Sequence, residues 1–63
     1  MKFYKSIFAK NLNGEYKIRF NERGWAQVTE LFHPFTVTRL DNPGLTKAEF
    51  ETYAENLILT NLF

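Results

Sequence analysis

The sequence predicts an α+β fold: a small antiparallel β-meander of three or four strands with one C-terminal α-helix packed on one face. Three observations predict it. Thr46-Lys47-Ala48-Glu49 has the form of a helix-starting capping box, followed by an apolar stripe at helical spacing. Two Asn-x-x-Gly segments, residues 11–14 and 21–24, separate stretches of strand propensity and mark chain reversals. Residues 15–20 alternate, with Tyr16, Ile18 and Phe20 on one side and Glu15, Lys17 and Arg19 on the other.

Taken in order, residues 2–10 form a first strand rich in aromatic residues, with Phe3, Ile7 and Ala9 sharing a face interrupted by Lys5. Asn13-Gly14 supplies the turn into a second strand at 15–20. Pairing through a two-residue loop sets Ile7 opposite Phe20, and pairing through a four-residue loop sets Ile7 opposite Ile18. Both put Phe3, Ile7 and Ala9 on the face of Tyr16, Ile18 and Phe20, which is the expected core face. The opposite face then collects Tyr4, Ser6, Phe8, Lys17 and Arg19.

Residues 25–32 read as a third strand, because residues 21–24 suit a turn with Gly24 at positive φ better than a helix start. The spacing of Trp25, Val28 and Phe32 also fits a helix. As a strand joined by a four-residue loop, the segment would place Trp25 and Leu31 on the core face and Ala26, Val28 and Phe32 on the other; a bulge beside Gly24 would reverse this. His33-Pro34 breaks regular structure. Residues 35–40 form a fourth, edge strand, and Pro43-Gly44 suits the centre of a type II turn.

The helix spans residues 46–60, capped by Thr46, with Leu45 and Phe50 placed as a hydrophobic staple. Phe50, Tyr53, Ala54 and Leu57, flanked by Ile58, form its sheet-facing stripe. Glu51 and Glu55, four residues apart, are read as a pair with no basic neighbour that adds nothing locally. Asn61 would interrupt the stripe, so the helix should end near Leu59 or Thr60, with Leu62 and Phe63 folding back on the core.

With 63 residues and no cysteine, the chain makes one small domain held by packing, without disulfides or thiolate metal sites. Eleven aromatic residues are more than so small a core can hide, so some belong on the surface. The net charge of +1 is unevenly placed: residues 1–40 carry seven Lys/Arg against three acids, and residues 41–63 carry Lys47 against four. No apolar run reaches the roughly 18–20 residues of a membrane span. The first ten residues, broken by Lys5 and Lys10, do not read as a signal peptide. A cytoplasmic location follows as the expectation, and the initiating Met and compact ending suggest a complete small gene product.

No catalytic, cofactor-binding or metal-ligating set is present. The one histidine, His33, sits in a turn before proline, Glu49 and Glu51 read as a solvated helix face, and the three glycines all occupy turns. The remaining constellation is the second sheet face, where Tyr4, Phe8, Lys17 and Arg19, with Trp25 and Val28 as neighbours, mix aromatic and basic side chains. Such a face suits a protein partner. The expectation is a non-enzymatic protein-binding module that regulates or inhibits a larger protein, in the size class of small accessory proteins made by phages and mobile elements. Self-association through the same face is a further expectation. The competing one is nucleic-acid binding, disfavoured by the low net charge.

Overall fold

The structure is a computed structural model in which residues 2–32 and 36–62 are described. Four strands, β1 (Phe3–Asn11), β2 (Gly14–Asn21), β3 (Trp25–Glu30) and β4 (Val37–Asp41), form one antiparallel sheet in the order β1-β2-β3-β4, followed by α1 (Lys47–Leu59). Residues 25–30 are therefore strand, and Leu31 and Phe32 lie beyond its end. The expected break at His33-Pro34, the start of the fourth strand at Phe35 and the fold-back of Phe63 fall outside the described residues.

An asparagine opens three of the connections, those after β1, β2 and β4, and ties each locally. Asn11 Oδ1 accepts from the Asn13 and Gly14 N–H groups, Asn21 Oδ1 from Arg23 N–H, and Asn42 Oδ1 from Gly44 and Leu45 N–H. This mimics a backbone turn and is the reason Asn recurs at these positions. Gly24 takes φ 90° and Gly44 φ 107°, the left-handed region that a side chain would disfavour. In the first hairpin Asn11 pairs with Gly14, which leaves Leu12-Asn13 as the turn and sets Ile7 opposite Ile18.

Two face assignments differ from the alternation argument. Phe20 pairs with Ala26, so five residues, not four, separate the paired positions. The odd residue turns β3 over, burying Ala26 and Val28 against the helix and sending Trp25 to the other face. In β1 the register shifts between Phe3 and Lys5, which pair with Asn21 and Phe20. Tyr4 is the inserted residue. This bulge swaps the two rings: Tyr4 packs towards the core beside Phe20, and Phe3 goes to the opposite face.

The core consists of Tyr16, Ile18, Phe20, Ala26 and Val28 from the sheet and Phe50, Ala54 and Ile58 from α1, with Tyr4, Ile7, Ala9, Leu40 and Leu45 around it. The helix lies over β1 and β2. Its buried row is the i, i+4 series Phe50, Ala54 and Ile58, while Tyr53 stacks on Phe50 at the margin. The capping box forms in full: Thr46 Oγ1 accepts from Glu49 N–H and the Glu49 carboxylate accepts from Thr46 N–H. At the other end Asn61, at φ 58°, sends its N–H to Ile58 O, and Leu62 N–H reaches Leu57 O. This Schellman pattern ends the helix where expected. Leu62 does not fold back on the core, since it is 73% exposed. Chain direction after a left-handed residue is set by that turn rather than by apolar attraction.

Candidate functional site

The helix covers one side of the sheet, and among the described residues no element covers the other. Alternation brings Phe8 from β1, Lys17 and Arg19 from β2, Trp25 and Gln27 from β3, and Arg39 from β4 onto this open face. The bulge adds Phe3. Arg19 stacks on the Phe3 ring at 4.1 Å, and its guanidinium donates to Gln27 Oε1 at 3.3 Å. Phe3 meets Trp25 edge to face with centroids 6.1 Å apart, and Arg39 lies 4.6 Å over Trp25. Phe3, Arg19, Trp25 and Arg39 thus make a connected row from the first strand to the fourth. Lys17 sits 5.7 Å above Phe8 one step along, yet Phe8 remains 67% exposed.

Each cation–ring contact at an exposed site contributes about 0.5–1 kcal/mol. Several sharing neighbours hold the row in one conformation. Asp41 tempers the charge at its β4 end, accepting from Arg39 Nε at 2.9 Å.

Of the residues singled out from sequence, Phe8, Lys17, Arg19 and Trp25 share this face, while Tyr4 and Val28 do not. Val28 is 2% exposed and belongs to the core, for the loop-length reason given above. Tyr4 is turned to the helix side by the bulge, donating its hydroxyl to Glu51 Oε2 at 2.9 Å with Lys47 4.6 Å over its ring. Burial and the adjacent Glu51 carboxylate push the Tyr4 hydroxyl up to about 12. Glu51 is not without a basic neighbour: Lys5 bonds it at 2.8 Å across the helix–sheet junction and, with Lys47 four residues before it on the helix, holds its carboxyl below the usual range. Phe3, Gln27 and Arg39 are the additions that sequence reasoning missed. Arg39 was legible as the alternate of Leu40 on an edge strand; Phe3 was hidden by the bulge.

Among the described residues no cluster of His, Asp or Glu could hold a metal ion, and no helix is long and apolar enough to cross a membrane. Comparison of the chain with models of known families, with curated proteins and with solved structures finds no match. The fold and the open face define the class, a four-stranded antiparallel α+β protein with one unpacked sheet surface.

Proposed function

We propose that this protein is a non-enzymatic binding module that regulates or inhibits a larger protein by occupying its surface, with the open sheet face as the contact. The observation that carries this reading is the row of rings and cations on that face, which no described element covers, with Phe8 standing out from it. Aromatic and Arg side chains held in advance of binding are the anchors that dominate protein–protein affinity, because little rotamer freedom is left to lose.

The geometry favours a protein over a nucleic acid. A single-strand platform offers bare ring faces for successive bases. Here guanidinium groups already lie over Phe3 and Trp25, so Phe8 is the most open ring on the face. Glu15 and Asp41 share the surface, and the net charge is only +1.

The test is affinity capture with the intact protein and with Phe8→Ala and Arg19→Ala, alongside circular dichroism. A partner protein held by the wild type and released by both variants, with unchanged spectra, is the expected result. Capture that survives both substitutions refutes this face. Retention on single-stranded DNA or RNA that falls steeply with salt and is lost in Lys17→Ala and Arg19→Ala would replace the protein partner with a nucleic acid.

A further inference from the structure

The two edges of the sheet are guarded differently. β1 carries Lys5 and Lys10 and the bulge at Tyr4, all devices that discourage a further strand from adding, and the helix lies over it. β4 has none of these: Val37-Thr38-Arg39-Leu40-Asp41 contains no proline, no lysine and no interruption of register, and α1 is seated at the far side of the sheet. Among the described residues β4 pairs only with β3.

The backbone parity of the free edge follows from two hydrogen bonds. Glu30 N–H to Thr36 O and Asn42 N–H to Gly24 O, each 2.9 Å, mark the even-numbered positions of this segment as those bonded to β3. In an antiparallel ladder the alternate residues direct their groups the other way, so Val37, Arg39 and Asp41 face outward. A second copy of β4 related by a two-fold axis must therefore bond odd positions to odd positions. Centring the axis on Leu40 satisfies this and sets Arg39 opposite the second copy's Asp41, and Asp41 opposite its Arg39. Centring it on Arg39 satisfies it too, but opposes the two guanidinium groups. The first register closes a ring of four alternating charges, because Arg39 and Asp41 already pair within the chain at 2.9 Å. It also brings the two half-buried Leu40 side chains together on the helix side, at the close, non-hydrogen-bonded position of the ladder.

We infer that β4 is a self-association edge: two copies of this chain pair antiparallel about Leu40, joining their sheets into one of eight strands. Backbone bonds supply the attraction and the Arg39–Asp41 pairs choose the register. The inference stands independently of the partner proposed for the open face.

Sedimentation between about 10 µM and about 1 mM, the range suited to a small interface, tests it. The wild type should move from monomer to dimer with concentration. Arg39→Asp and Asp41→Arg each place like charges opposite one another and should weaken the dimer by about tenfold or more. Both side chains are mostly exposed, at 61% and 69%, so folding should survive, which circular dichroism verifies. Mixing the two variants restores opposite charges in both pairs and should recover a one-to-one dimer, as should the double variant Arg39→Asp/Asp41→Arg with itself. A wild type that stays monomeric throughout, single variants that dimerise as it does, or a mixture that stays monomeric would each overturn the inference. So would a dimer that is lost in Phe8→Ala but kept in Arg39→Asp.

Discussion

Glu51 joins the helix to the first strand, accepting from both Tyr4 and Lys5. Its carboxyl lies below the ordinary value of 4.5, chiefly because of the Lys5 bond, so the folded state holds its proton less tightly than the unfolded chain. The stability this adds is present above about pH 4.5 and is lost as pH falls through the lower folded value. Tyr4 acts at the other extreme: with its hydroxyl raised from 10.0 to about 12, its contribution persists below pH 10 and fades between 10 and 12. Glu51→Gln should flatten the acid limb of the stability profile and cost about 1 kcal/mol near neutrality, measured by urea unfolding against pH. An acid limb as steep in the variant as in the wild type would show that the tie contributes nothing. Burial separates two other residues that the sequence left together. Phe8→Ala, on the open face, should change stability by no more than about 0.5 kcal/mol. Val28→Asp places an unpaired charge in the core and should unfold the protein, as seen by loss of its circular dichroism spectrum.

At the scale of elements, connection length matters more than propensity. Residues 25–30 have strand character under any loop, but the five residues between the paired Phe20 and Ala26 decide that Ala26 and Val28 lie on the helix side. Deleting Glu22 would restore an even spacing and turn the strand over, so the shortened protein should lose cooperative thermal unfolding; a sharp transition near the wild-type Tm would contradict the role given to the loop. The helix is more local in origin. Thr46→Ala removes the acceptor for Glu49 N–H and should cost about 1 kcal/mol by denaturant titration, without altering the sheet. Its start and stop were readable because capping is a matter of a few consecutive residues. Which side chains it buries was readable only roughly: the row centres on Phe50, Ala54 and Ile58 because the helix sits over β1 and β2.

For the whole molecule, one helix and one sheet make two layers, and the sheet alone cannot hide its apolar side. A chain ending at Asp41 would expose Ile18, Phe20 and Val28 to water and should be unfolded or aggregated, judged by light scattering and by binding of a hydrophobic dye. A soluble, cooperatively folding fragment would mean that the strands carry more of the stability than the two-layer picture assigns them. The same economy leaves the second side of the sheet unpacked, which is why the candidate site lies there.

By itself the sequence determined the class of fold, the order of its elements, the chain reversals at residues 11–14 and 21–24, both helix ends and three of the residues on the open face: Phe8, Lys17 and Arg19. These follow from short-range causes, namely turn chemistry, capping and alternation. Only the tertiary structure decided that Tyr4 and Val28 belong to the helix side, that Trp25 lies on the open face and not the core face, and that Phe3, Gln27 and Arg39 complete the open face. A side chain's side of a sheet depends on parity, and one extra residue in a bulge or a loop inverts it. Whether that residue is accommodated is settled by the packing of Tyr4, Ala26 and Val28 around Phe20 and Phe50, at distances along the chain that local pattern does not reach.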